Sequence, residues 1–183
     1  MLRHPPSFVP RALACAAVFA VASLAAVAQP TFEGLATPVS QMKVAKDFKV
    51  ELLYTVPKAV QGSWVAMCVD PRGRLIVSDQ YGKLYRLTPP PVGTTGNLGI
   101  EPLDIAIGQA QGLLYAFDSL YVMVANEGYQ GRGLYRVRDT NGDDKFDEVR
   151  LLRKLDGGGE HGPHAILTSP DGKSLTKIGR AHV

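Results

Sequence analysis

One short pattern recurs and sets the limits on the fold. Gly82-Lys-Leu-Tyr-Arg86 and Arg132-Gly-Leu-Tyr-Arg136 lie 50 residues apart, each closing a run of strand-like segments. The first run reads Trp64-Val-Ala-Met-Cys-Val-Asp70, a turn at Pro71-Arg-Gly73, Leu75-Ile-Val-Ser-Asp79, a turn at Tyr81-Gly-Lys83, then Leu84-Tyr-Arg-Leu87. The second reads Gly112-Leu-Leu-Tyr-Ala-Phe117, a turn at Asp118-Ser119, Leu120-Tyr-Val-Met-Val-Ala125, then Gly131 to Arg136. A third copy opens at Ala165-Ile-Leu-Thr-Ser-Pro-Asp-Gly172. Short alternating runs separated by Gly, Pro and Asp turns predict an all-β chain. Val50-Glu-Leu-Leu-Tyr-Thr-Val56 is also rich in strand formers.

A meander repeated every 40–50 residues or so is the signature of β-propeller blades, each of which buries its faces only against its neighbours. The competing reading is a β-sandwich in which the Leu-Tyr-Arg segments coincide by chance. The expected fold is part of a six-bladed propeller, two and a half to three blades over residues 48–177, after an entry segment at 29–47. A complete ring needs on the order of 250–300 residues. Residues 89–96, Pro-Pro-Pro-Val-Gly-Thr-Thr-Gly, read as an extended inter-strand loop.

Both termini read as something other than propeller. Arg3 and Arg11 precede an apolar run, Ala12 to Val27, broken only by Ser23. Ala26-Val27-Ala28 fits a small-x-small cleavage site, so residues 1–28 are expected to form a signal-peptide helix removed near Ala28. The run is short for a membrane span, and a retained N-terminal anchor is the competing reading. Export to the periplasm or the extracellular space follows. At the other end, Ile178-Gly-Arg-Ala-His-Val183 back-translates as ATC-GGA-AGA-GCA-CAC-GTC, the opening of a common sequencing adapter. Residues 178–183 are therefore expected to be read-through, and the parent chain to continue beyond Thr176 as a longer protein.

The chain's formal charge is +3, and loss of Arg3 and Arg11 with the leader leaves +1. That balance gives no electrostatic case for a nucleic-acid partner. Cys68 is the one cysteine outside the leader, so there is no disulfide framework and no Cys-x-x-Cys-His for covalent haem. It alternates with apolar residues and reads as a buried small hydrophobe. Trp64, the only tryptophan, reads as a core or inter-blade anchor.

Two clusters carry candidate chemistry. In Asp139-Thr-Asn-Gly-Asp-Asp-Lys-Phe-Asp147, the oxygen ligands Asp139, Asn141, Asp143 and Asp147 take relative positions 1, 3, 5 and 9. This resembles the first part of an EF-hand calcium loop, with Asp144 in place of the glycine and Arg150 in place of the final acid. The alternative is a solvated hairpin turn built on Asn141-Gly142. In Gly157-Gly-Gly-Glu-His-Gly-Pro-His164, the histidines suit general-base chemistry near neutral pH. A partial metal site is a second reading, although a spacing of three is poor for one face of a strand. Hydrogen-bonded loop histidines without chemistry are the third. Asp79-Gln80 and Asn126-Glu127 end equivalent second strands, as channel-facing groups or as turn caps.

A resemblance joins these segments. Gly62-Ser-Trp-Val65, the run from Asp70 to Arg86, Arg138-Asp-Thr-Asn-Gly-Asp143 and Gly159-Glu-His-Gly-Pro-His-Ala-Ile166 together resemble the exported membrane-bound-dehydrogenase, haem-binding-type propellers of planctomycetes. Those are similar in turn to the glucose/sorbosone dehydrogenase family of soluble quinoproteins. The resemblance implies a six-bladed propeller binding PQQ over its channel, with Ca²⁺ polarising the quinone and a sugar or alcohol as substrate. The family's histidine base stands nine residues before the proline of the next turn, as His161 does before Pro170. His161 thereby inherits the base role, and Gln61 and His164 the cofactor-contacting positions. The family's PQQ-contacting lysine and arginines belong to later blades, and a c-type cytochrome domain often follows. The rival expectation is a non-catalytic propeller that binds a polysaccharide or a protein.

Overall fold

Among the described residues there are ten strands, and the best buried of them form where apolar residues face a neighbouring sheet. The structure is a computed structural model that describes residues 37–94, 97–127, 129, 131–156 and 162–179. All of these fall within one compact unit, Gly34–Val183. The expected signal peptide, His161 with the preceding glycines, and residues 180–183 lie outside the described residues.

The chain is mostly β, in three antiparallel sheets of four, four and two strands, none of them closed. The first holds β1 (Trp64–Val69), β2 (Leu75–Asp79), β3 (Leu84–Thr88) and β4 (Gly99–Pro102). The second holds β5 (Ala110–Ala116), β6 (Ser119–Val124), β7 (Gly133–Arg138) and β8 (Glu148–Lys154), and the third β9 (Pro163–Thr168) and β10 (Leu175–Gly179). Both four-stranded sheets are plain meanders, β1-β2-β3-β4 and β5-β6-β7-β8. A short helix, Lys58–Gln61, precedes β1. The expected strand at Val50–Val56 joins no sheet, and Leu52 and Leu53 there are exposed.

The sheets pack face to face, with their first strands side by side. Every residue of β6 is buried, because it is central in a sheet covered on both sides. Leu120, Val122 and Val124 face the first sheet and join Ile76 and Leu84 in the main core. Tyr121 and Met123 face the third sheet and meet Ile166. The period-2 alternation thus serves two interfaces from one strand. The far face of the first sheet has no such cover among the described residues: Val65, Met67 and Val69 are 42%, 61% and 56% exposed.

The registers show that β1, β5 and β9 all begin at one end of the molecule. Trp64 pairs with Asp79, Ala110 with Val124, and Pro163 with Gly179. The Ala110 N–H donates to Ser78 Oγ at 3.1 Å, which ties this end of the first two sheets together. Each of the three pairs carries a bulge beside that first pairing. The extra residue is Val65 in β1 and Gln111 in β5, while in β9 the irregularity spans both His164 and Ala165.

Candidate functional site

The strand-start end is built by backbone approaching backbone at glycines. Gly62 ends the short helix at φ 67. A Cβ on Gly62 would lie 2.1 Å from Asp79 Oδ1, and one on Gly82 would lie 2.1 Å from Asp79 Oδ2. Only glycine therefore admits the Asp79 carboxylate between these two segments. Its Oδ1 accepts from the Ser63 N–H at 3.1 Å and the Tyr81 N–H at 3.3 Å. Of the two roles expected for Asp79, the turn cap is the one its contacts define. Gln61 Oε1 accepts the Tyr54 hydroxyl at 3.0 Å. Tyr54 stacks on Trp64 at 5.6 Å between centroids, and Trp64 meets Tyr85 at 5.9 Å. The segment around Tyr54 is pinned to the first sheet by this aromatic row.

The second sheet adds polar groups beside them. Gln109, at φ 54, donates its backbone N–H to the Gly82 carbonyl at 2.9 Å and its Nε2 to the Tyr81 carbonyl at 3.3 Å. Its Oε1 is buried without a partner. A Cβ on Gly108 would meet the Gly82 carbonyl at 2.1 Å and the Tyr129 hydroxyl at 2.9 Å. A Cβ on Gly112 would lie 2.0 Å from the His164 carbonyl, so β9 comes down on β5 at this glycine. The end therefore gathers Gln61, Asp79, Gln109, Gln111, Tyr129 and the start of β9 with His164. Gln109, Gln111 and Tyr129 were not legible as site residues.

The acidic turn 139–147 stands at the opposite end, between β7 and β8. Its side chains are committed to its own backbone. Asp139 accepts from the N–H groups of Gly142 at 2.7 Å and Asp144 at 2.8 Å. Asn141 Oδ1 accepts from Asp143 N–H, and Asp143 Oδ1 from Lys145 N–H, both at 2.9 Å. Asp147 accepts the Thr140 hydroxyl at 2.7 Å and the Thr140 N–H at 2.9 Å, and these bonds hold its carboxyl below the usual carboxylate range. Among the described residues no three His, Cys, Asp or Glu side chains converge as a metal site. Asp139, Asn141, Asp143 and Asp147 thus form a self-capped turn, one strand length away from Gln61 and His164.

Asp144, in the position an EF-hand gives to glycine, does something else. It stands at φ 68 and reaches the first sheet, where it takes Arg74 Nη1 at 2.5 Å and Nη2 at 2.7 Å. Arg74 is held from behind by Asp70, which accepts its Nε at 2.7 Å. Arg86 Nη1 donates to the Asp144 carbonyl at 2.9 Å, and its guanidinium stands 5.4 Å over the Phe146 ring. The turn is a strap between sheets.

Cys68 packs against the main core, and burial pushes its thiol up to about 12. Comparison with protein-family models, curated proteins and solved structures returns no match. The class that the geometry defines is an antiparallel, multi-sheet β protein whose first strands converge on one polar end.

Proposed function

We propose that the three sheets are successive blades of a six-bladed propeller, and that the strand-start end carries the site of a sugar or alcohol dehydrogenase of the quinoprotein kind. One observation carries the reading: meanders packed face to face set β1, β5 and β9 side by side with a common start. Equivalent strand starts around a ring line one mouth of a central channel. The Gln61 segment and the β9 start that follows His161 belong to that same mouth.

In this reading the substrate hydroxyl gives its proton to His161, a neutral imidazole, while its carbon loses hydride. PQQ, if bound by the parent protein, would supply the two-electron acceptor for that hydride. Gln61 and His164 contact bound cofactor or substrate. Calcium at Asp139–Asp147 takes no part, because that turn lies at the other end. Export after cleavage near Ala28 and electron transfer to a downstream c-type cytochrome domain complete the proposal.

The test uses the longest reading frame that contains this chain. The protein is reconstituted with PQQ and Ca²⁺ and assayed for dye reduction with aldoses and primary alcohols. Activity that His161→Ala abolishes is the expected result. Absence of cofactor binding, with His161→Ala indistinguishable from the parent, overturns it.

A second reading has its own support. Gln61 Oε1 is already taken by Tyr54, and Asp79 by Ser63 and Tyr81. Polar groups spent on local structure suit a non-catalytic propeller that binds a polysaccharide or a partner protein. A parent that binds glycan with no PQQ uptake selects this reading.

A further inference from the structure

The acidic turn of the second sheet locks onto arginines of the first, and the arginine half of that lock recurs one sheet further on. Leu75 pairs with Leu87 in the first sheet and Leu120 with Val137 in the second, so Arg136 holds the place of Arg86. Arg74 precedes Leu75 and Thr88 follows Leu87, whereas Ser119 precedes Leu120 and Arg138 follows Val137. The second guanidinium has thus crossed from one strand of the ladder to its neighbour, and the pair is kept. Alternation along β7 sets Arg136 and Arg138 on the face of Leu134, which packs against the cluster under the third sheet. Arg150, opposite Arg136 in β8, falls on the same face. Glu148 is the only acid in β7 and β8, and it accepts from Arg136 Nη2 at 3.1 Å. Asp147, beside it in the turn, accepts from Thr140 and also feels the Arg138 charge.

The two arginine pairs differ in their cover. Arg86 is capped by the Asp144 carbonyl and the Phe146 ring, and 7% of its side chain is exposed. Arg136 has no such cap among the described residues, and 24% of its side chain is exposed. Asp144 stands on the turn between the third and fourth strands of its sheet. The third sheet shows its first two strands, β9 and β10, and β9 packs on β5 and β6. We propose that Arg136, Arg138 and Arg150 form a docking surface for an acidic turn, the one that joins the third and fourth strands of a completed third sheet in the longer parent chain. The molecule already displays the chemistry once, since Arg74 meets the Asp144 carboxylate through both Nη1 and Nη2. A guanidinium fork matches a carboxylate by such paired donors, and neither an ammonium nor a neutral turn answers it. Three arginines against Glu148 leave room for two further carboxylates. The Phe146 ring over Arg86 adds that the incoming turn should carry an aromatic residue two positions after its acid.

This inference rests on the three sheets being units of one repeat, and it uses no dehydrogenase chemistry. Its test is nuclear magnetic resonance of the arginine Nε–H groups in the full chain. The probe is the free peptide Asp139–Asp147, a stand-in for the incoming turn, and its control is the same peptide with every Asp replaced by Asn. Saturable shifts of the Arg136 and Arg138 signals are expected with the acidic peptide and not with the control, and they should shrink as salt is added. Arg136→Gln and Arg138→Gln should each weaken binding about tenfold, the loss of a charge-assisted hydrogen bond. Arg136→Lys keeps the charge without the fork and should lose less. Lys58→Gln removes an equal charge from the short helix and should leave affinity unchanged. In the longer parent the surface is filled, so the peptide should not bind there. Folded chain in which both signals stay still overturns the proposal, as does an equal response to the Asn peptide or an equal loss in Lys58→Gln. A heparin disaccharide that binds more tightly than the peptide overturns it in favour of a sulfated glycan, and a parent that binds the peptide as tightly as this chain overturns the assignment to the third sheet. Peptide binding by this chain beside a parent without dye reduction sinks only the dehydrogenase reading. Dye reduction by the parent, with Arg136 and Arg138 silent in this chain, sinks only this one.

Discussion

Asp144→Asn should weaken the chain at neutral pH and leave it nearly unaffected in strong acid. The Arg74 guanidinium hydrogen-bonded to Asp144 holds the carboxyl at about 2, against an ordinary 3.8. The free-energy equivalent of that lowering is at most about 2.4 kcal/mol. Asp144 keeps 32% of its side-chain surface exposed, and water and salt screen it. A working value is about 1–1.5 kcal/mol. Because the folded carboxyl is the more acidic one, this stabilisation is complete above pH 3.8 and is lost as pH falls towards 2.

Asparagine is the right replacement because φ is 68 at this residue, a region that Asn enters readily. Asp144→Ala adds about 1 kcal/mol of backbone strain that does not vary with pH, which makes it a useful comparison. Urea unfolding, followed by the fluorescence of Trp64, the chain's single tryptophan, reads the difference at pH 7, 4, 3 and 2.5. The gap between the chain and its Asp144→Asn variant should be widest at pH 7 and close as pH falls below 4. Arg74→Met should show the same closing gap, and the double variant should lose less than the two single losses combined. A gap that stays constant from pH 7 to 2.5, or that is absent at pH 7, would refute the assignment of Asp144 as an ionic strap.

Four further outcomes follow from the packing. Cys68, its thiol pushed up to about 12, should ignore a disulfide reagent at pH 8 in the folded chain and react fully in urea. Gly62→Ala meets both a positive φ and the Asp79 carboxylate, and should cost about 2–3 kcal/mol in urea unfolding; adding Asp79→Ala should return part of that loss, and no recovery would mean the clash is not with Asp79. Tyr135→Phe removes a 2.6 Å hydrogen bond from a buried phenol to the Gly131 carbonyl, and should cost about 1 kcal/mol by the same measurement. Finally, Leu84 faces the second sheet and Leu134 the third, so Arg136 is the counterpart of Arg86. If the blades continue, resequencing the locus should find an open frame with an acidic turn about 50 residues beyond Asp144, able to meet Arg136 as Asp144 meets Arg86; a clean assembly that ends at Val183 sinks that expectation.

The first three strands were legible from residue pattern because each buries at least one face, which fixes the residues on it. Leu75–Asp79 was read at its true bounds, and β1 and β3 differ from the reading by one residue. The outer strands β4 and β8 were not, for a physical reason. Glu148–Lys154 lies at a sheet edge with most of its residues exposed, so consecutive charged and apolar side chains are tolerated and the alternation is lost. Val50–Val56 shows the converse, since strand propensity without a partner strand produces no ladder. The turn expected at Asp118-Ser119 falls one residue earlier, on Phe117 and Asp118, both at φ 50. The bulges were invisible because a bulge is a property of two strands in register, and one sequence shows only one of them.

Asp144 marks the same boundary more sharply. Its partners Arg74 and Arg86 are 70 and 58 residues away, and no local spacing connects them. Read locally, the turn is an ion loop or a hairpin; read in space, Asp139, Asn141, Asp143 and Asp147 shape the turn and Asp144 leaves it to hold a neighbour. That use divides the molecule. At the Asp70 end, the first two sheets are fastened by guanidinium–carboxylate pairs, which tolerate solvent and demand exact partners. At the strand-start end they are fastened by glycines that let backbone meet backbone, and by neutral side chains such as Ser78. Polar side chains there serve local structure, Gln61 accepting from Tyr54 and Asp79 from Ser63 and Tyr81. The same two sheets are thus held by different chemistry at their two ends, long-range ion pairs at one and close approach at glycines at the other.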